Sequence, residues 1–348
     1  MSANNVVAPT TATSVGNRVN PKHILDLEWG FARSATLMAA LEISLFDYVA
    51  QGANTPALLA TAADISERGA RGILHAISAL GLLSCENETY SLSADAQTYL
   101  VSGKAEYLGD MHKIFYGMNA RIWPKLTESV RTGEPIMDLF VADENRHWDD
   151  VFPFLTAVSR PMVQTIARYV AQSSKPTKRV LDVGAGAGLY TCEITRMDDR
   201  VTTTSLDQEE VLPYLQRAVD EYGLDKRVAL HSGDIFLMDW AGPHDFVLFS
   251  HLLHGFDPQS CSRLASKAFD ALAPGGELLI HEFIPDPVSP ETRPIASLFN
   301  LEMLMTSQGS AYTVADYDRL LGEIGFAPCR DIPAPGGATR ILSAQKPN

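Results

Sequence analysis

The chain has 348 residues, 46% of them hydrophobic, and 42 acidic against 28 basic residues leave a formal net charge of −14. That length suits about two domains and that apolar content a core for each, which excludes a disordered or fibrous chain. An acidic chain without a Lys/Arg cluster repels phosphate, so neither nucleic acid nor an anionic membrane is an expected partner.

Residues 1–20, MSANNVVAPTTATSVGNRVN, lack a basic stretch followed by an apolar core and read as a flexible tail rather than a secretory signal. Apolar runs such as ATLMAALEISLF are broken by charge before the roughly 18 residues that a membrane span needs. The cysteines, Cys85, Cys192, Cys261 and Cys329, are far apart and form no CxxC pair, which argues against a disulfide framework or structural zinc and for a cytoplasmic setting.

From Pro21 the pattern is helical, with Phe31, Leu37, Leu41 and Phe46 at spacings that build one apolar face up to Gly52. Thr55-Pro56 reads as an N-cap with Pro at the first helical position, and Ser66 caps a second helix carrying Ile73, Leu74, Ile77 and Leu80. Two short strands around Glu86-Asn87-Glu88 follow, so residues 21–104 read as a winged-helix-like module. Its second helix offers only Arg68 and Arg71, beside Glu67, so dimerisation or enclosure of a substrate is the expected role and not DNA binding. Residues 105–175 form a helical linker whose aromatic and Met residues serve as core or as the lining of an apolar pocket.

A new domain, 176–348, starts after the polar turn SSKPTK. RVLDV, VTTTSL, RVALHS, DFVLFS and GELLIHE alternate with amphipathic helices, the pattern of a parallel sheet covered on both faces. FAPCRDI and ATRILSAQ flank a Pro335-Gly336-Gly337 turn and predict a final antiparallel hairpin. The first strand runs into Asp182-Val183-Gly184-Ala185-Gly186-Ala187-Gly188, a GxGxG turn and not the GxGxxG of dinucleotide sites, because Leu189 stands where a third glycine belongs. That departure and the hairpin both speak against a nicotinamide oxidoreductase. Asp207 ends the second strand, where a carboxylate accepts both ribose hydroxyls of a nucleoside. Asp234, after Gly233, is placed to take an adenine amino proton while Ile235 and Phe236 pack on the ring.

On these residues the chain resembles the S-adenosylmethionine-dependent O-methyltransferases of the small-molecule, caffeic acid and hydroxyindole, type. LDVGAGAG is similar to their first motif, SLDQEEVL to their FDLPHV stretch and SGDIF to their GDMF, and the likeness runs from about residue 25 to 345. It implies a class I methyltransferase fold, α/β and Rossmann-like with a mostly parallel seven-stranded sheet, joined to an N-terminal dimerisation domain that forms a homodimer. It also implies S-adenosylmethionine as cofactor, held by Asp182, Gly184, Gly186, Gly188, Asp207, Gly233, Asp234, Ile235, Phe236 and Ser250.

FSHLLHGFD resembles the family's CHDWSD segment and aligns His254 with its catalytic histidine, with Gly255 and Phe256 where Asp and Trp are usual. HEFIPD matches AECILP, which makes Glu282 the carboxylate that orients the histidine. The family's second glutamate has no counterpart, since GSAYT puts Ala311 there. Asn300, Met303 and Met137 fall where the family lines its acceptor pocket. The expected reaction is methyl transfer to a hydroxyl of an aromatic or polyketide-like molecule, and Ala311 keeps C- or N-methylation or a non-methylating cyclisation on the same fold as the alternative. A cofactor-sensing regulator with the same domains is a further alternative. His251, His254 and Asp257 also share a spacing that could hold a metal, but a helix start explains it equally, and no metal is expected.

Overall fold

The computed structural model describes residues 20–104, 106–137, 148–285, 293–335 and 338–348, and divides into two compact units, Met1–Gln97 and Thr98–Asn348. The first holds α1 (Lys22–Glu28), α2 (Gly30–Glu42), α3 (Leu45–Ala50), α4 (Pro56–Ala62), α5 (Glu67–Ala79), β1 (Leu83–Glu86) and β2 (Thr89–Leu92). The single helical run expected from 25 to 49 is three helices. Ser44 takes a left-handed conformation, φ 55°, and the turn swings Leu45 and Phe46 into the core. Thr55 accepts the Leu58 N–H and Ser66 the Gly69 N–H, as their positions before helices predict. α5 buries Ala70, Leu74 and Ile77 along one stripe, and the β1–β2 turn has positive φ at both Asn87 and Glu88, the geometry of a tight hairpin.

α6 (Ala94–Tyr99) crosses the division, and α7 (Met111–Ile114), a π-helical turn at Phe115–Asn119, α8 (Ala120–Ile122) and α9 (Leu126–Thr132) follow. The long α10 (Trp148–Gln172) leads into the sheet. The stretch expected as a linker at 105–175 therefore lies in the second unit.

The sheet is built from β3 (Lys178–Val183), α11 (Leu189–Met197), β4 (Val201–Asp207), α12 (Leu212–Tyr222), β5 (Val228–Ser232), β6 (His244–Ser250), α13 (Pro258–Ala271), β7 (Leu272–Phe283), α14 (Arg293–Thr306), α15 (Val314–Ile324), β8 (Arg330–Ile332) and β9 (Thr339–Gln345). Strand order is β5-β4-β3-β6-β7-β9-β8, parallel through β7, with β9 antiparallel to both β7 and β8. Side chains alternate between two cores. Leu181, Val183, Val247, Phe249, Leu278 and Ile280 enter one, while Val180, Phe246, Leu248 and Leu279 enter the other with Met162, Val163 and Ile166 of α10. A strand apolar on both sides is stable only when helices cover both faces. Because β3 pairs with β4 on one side and β6 on the other, the strand order reverses there, and the crevice outside the carboxyl ends of such strands is where α/β sheets bind ligands.

Candidate active site

The glycine turn opens at that reversal. Gly184, Gly186 and Gly188 all have positive φ, at 72°, 55° and 80°, and Gly188 caps α11. A Cβ on Gly188 would overlap Leu215 of α12, so this position needs glycine for packing as well as for backbone angle. Asp207, at the end of β4, ties the turn to the next strand: its Oδ2 accepts the Gly186 N–H at 2.7 Å and its Oδ1 the Gln208 N–H at 2.7 Å. Asp182 is buried; Thr191 donates to its Oδ2 at 2.7 Å, while Oδ1 has no partner among the described residues. Burial pushes the Asp182 carboxyl up to about 7 and raises that of Asp207.

The other candidate cofactor residues lie at neighbouring strand ends. Beyond β5, Gly233 has a positive φ and exposed Asp234 accepts the Phe236 N–H at 2.7 Å, a turn that presents Ile235 and Phe236 half-buried against the core. The Phe236 ring meets the Phe256 edge at 5.2 Å and carries the Arg263 guanidinium over its face at 4.9 Å. Ser250 ends β6, buried. These features suit an adenosyl sulfonium cofactor: the unpartnered Asp182 oxygen can take a donor, the remaining lone pairs of the Asp207 carboxylate can accept from a diol, and the glycine turn lets a ligand lie close to the backbone.

The second cluster stands on the same edge. After β6, Leu253–Gly255 make a 3-10 turn that carries His254, and Glu282 comes from the end of β7, both buried. His254 Nδ1 lies 2.6 Å from Glu282 Oε2, and Glu282 Oε1 accepts the Leu253 N–H at 2.9 Å. Burial pushes the Glu282 carboxyl up, but the charge and hydrogen bond of His254, with the charge of His251, outweigh it and hold it below its ordinary value. The Gly309 backbone packs directly against the His254 carbonyl, where no side chain would fit.

Phe299 of α14 meets the His254 ring at 4.9 Å and stacks on Phe283 at 4.0 Å. One turn further along α14 is Glu302, half-buried, whose carboxyl burial raises and the charge of His254 pulls back down. Asn300 is exposed, and its Oδ1 accepts both the Ser310 hydroxyl at 2.8 Å and the Ala311 N–H at 2.9 Å, so it braces the loop over His254. Met303 is buried, 3% exposed, and Met137 donates its N–H to the Met305 carbonyl at the end of the same helix.

Three residues here escaped the sequence reading or were assigned differently. Asp257 is not poised beside the histidines; it caps α13, accepting the Gln259 and Ser260 N–H groups, because a carboxylate before Pro258 is the natural partner of those amides. His281, on β7, sits between the Tyr190 hydroxyl at 2.5 Å from Nδ1 and the Thr339 hydroxyl at 2.9 Å from Nε2, and burial draws its pKa well down. Glu302 carries no motif, and its i+3 spacing from Phe299 is the signal that could have found it.

A parallel sheet closed by an antiparallel end pair, with a glycine turn at its reversal point and an acid ending the next strand, defines a class I S-adenosylmethionine-dependent methyltransferase. The model of the O-methyltransferase domain matches residues 141–327, and that of the O-methyltransferase dimerisation domain residues 25–102. Among relatives, the 3-hydroxy-5-methyl-1-naphthoate 3-O-methyltransferase of Streptomyces sahachiroi is 29% identical over 94% of this chain and 95% of its own length. The tetracenomycin polyketide synthesis 8-O-methyl transferase of Streptomyces glaucescens is 28% identical over 94% and 97%. The human N-acetylserotonin methyltransferase, solved in complex with S-adenosylmethionine, shares the fold with a TM-score of 0.80 at 22% identity, covering 96% of this chain and 100% of that one. The chain belongs to the O-methyltransferase family, with S-adenosylmethionine as its cofactor and a dimerisation domain at its N-terminal end. No helix among the described residues is long and apolar enough to cross a membrane.

Proposed function

We propose that the enzyme methylates a hydroxyl of an aromatic or polyketide-like small molecule, with His254 as general base and Glu282 as its orienting carboxylate. The observation that carries this reading is the buried His254–Glu282 pair, 2.6 Å apart on the strand edge that also bears the glycine turn. A phenol with a pKa near 10 is almost wholly neutral at pH 7, so a base helps. Glu282 Oε2 accepts the proton on His254 Nδ1, which makes Nε2 the basic nitrogen of the ring and the one to take the hydroxyl proton. The same carboxylate then stabilises the imidazolium that forms. S-adenosylmethionine, when bound, would supply the electrophilic methyl group. Asp182, Asp207, the glycine turn and the Asp234–Phe236 turn would hold it.

The stacked Phe283 and Phe299 give a flat wall suited to a ring, and the two relatives from Streptomyces act on a naphthoate and in polyketide synthesis. The homodimer is the working form, and the free cysteines suit a reducing, cytoplasmic setting.

The test is His254→Gln, assayed with a panel of hydroxylated naphthoates and polyketides. Turnover is expected to fall by about 10²–10⁴-fold while S-adenosylhomocysteine binding stays unchanged. Full turnover in the variant overturns the assignment.

A further inference from the structure

Among the described residues, the ligating atoms of His251, His254 and Glu282 lie within 4.8 Å of one another. We propose that these two imidazoles and one carboxylate form a site for a divalent transition-metal ion, and that its occupation switches methyl transfer off.

The donor set comes from two adjacent strand ends. His251 directly follows β6 with φ 51°, a left-handed conformation that turns its ring back toward β7. There its ring lies edge-to-face with His281 at 4.4 Å and tilted against Phe283 at 5.4 Å, and its Nδ1 comes 3.9 Å from Glu282 Oε2. The same carboxylate oxygen is 2.6 Å from His254 Nδ1. A tetrahedral ion with ligand bonds of about 2.0–2.2 Å holds its donors roughly 3.3 Å apart, so the 2.6 Å contact must open and the wider separations, up to 4.8 Å, must close. Two imidazoles with one carboxylate select zinc, copper, nickel or iron over magnesium and calcium, which prefer all-oxygen shells. The site carries one negative charge for a dication, and the His251 side chain, 25% exposed, gives the ion a way in. The remaining coordination position is left for water. The second-sphere bonds that steady such sites are also in place, since Glu282 Oε1 is held by the Leu253 N–H.

The chemical consequence follows from which nitrogen is used. An ion on His254 Nδ1 displaces the proton now shared with Glu282 and engages the carboxylate. The imidazole then loses its orienting hydrogen bond, and its Nε2 becomes a poorer proton acceptor. Inhibition therefore rests on His254 being the base, whereas binding does not.

The experiment titrates the full-length protein with zinc against a chelating dye, with magnesium as a parallel probe, and follows methyl transfer as zinc is added and then removed with EDTA. His251→Phe keeps the ring packing against His281 and Phe283 but has no ligand atom, and its fold is checked by S-adenosylhomocysteine binding; His251→Gln replaces it if that check fails. Wild type is expected to bind one zinc per chain at least about tenfold more tightly than the variant, and magnesium far more weakly. Methyl transfer should fall as that zinc loads and return with EDTA. Equal zinc binding by wild type and variant overturns the site. Zinc bound through His251 without loss of turnover leaves the metal site standing and overturns His254 as the base.

Discussion

A carboxyl group that is fully enclosed with one oxygen left without a partner ionises reluctantly, and Asp182 is in that position. Its folded pKa, pushed up to about 7 by burial, lies above the roughly 3.9 of an unfolded aspartate. Between those two values the folded chain keeps a proton that the unfolded chain has released, so stability falls as pH rises through the window. The contribution is on the order of 4 kcal/mol against the ionised apo fold at pH above 7. Asp182→Asn is expected to flatten that fall, read as urea midpoints at about pH 5 and pH 7.5; parallel pH profiles for the two proteins would refute it. His254 and Glu282 were legible because each sits in a recognisable motif, whereas the environment that protonates Asp182 depends on Thr191 of the following helix and on what covers the strand end.

At the scale of elements, the glycines divide by what surrounds them. Gly188 combines φ 80° with the Leu215 side chain lying where its Cβ would go. Gly72, in the exposed interior of α5, meets nothing within 4 Å and has ordinary helical angles. Gly188→Ala should therefore cost about 1–3 kcal/mol and weaken S-adenosylhomocysteine binding, while Gly72→Ala should stabilise by about 0.5–1 kcal/mol and leave binding alone. Urea unfolding of the two variants decides it, and the same sign for both would contradict the packing argument. The GxGxG spacing was readable from the chain, and so were all five parallel strands, because their runs of apolar residues and the helices between them are local patterns. The break at Ser44 was not readable, since a serine in left-handed conformation is imposed by the burial of Leu45 and Phe46.

For the whole molecule, the apolar surface at the N-terminal end is informative. Ile24, Leu27, Trp29 and Phe31 are between 62% and 72% exposed, and the dimerisation-domain match begins at residue 25. Exposed apolar side chains on a dimerisation domain are where a second copy is expected to dock. Trp29→Asp with Phe31→Asp is expected to shift sedimentation from dimer to monomer with unchanged helical circular dichroism. A variant that remains dimeric would move the interface elsewhere. Phe31 lies on the apolar face that its spacing predicts, and spacing alone does not distinguish a core from an interface.

The sequence by itself determined the class of fold, because hydrophobic periodicity and a glycine-rich turn between strand and helix are constraints that act within a few residues, and the likeness of its motifs to a known family pointed to the cofactor. The tertiary structure alone decided which distant groups meet. Asp257 caps a helix, Asn300 braces the loop at Ala311, and His254 and Glu282 meet from the ends of two strands. It also drew His251, His254 and Glu282 around one point from two strands that are separate in the chain. Such convergence depends on sheet order and strand register, which set distances between residues far apart in sequence and leave no periodic trace in it.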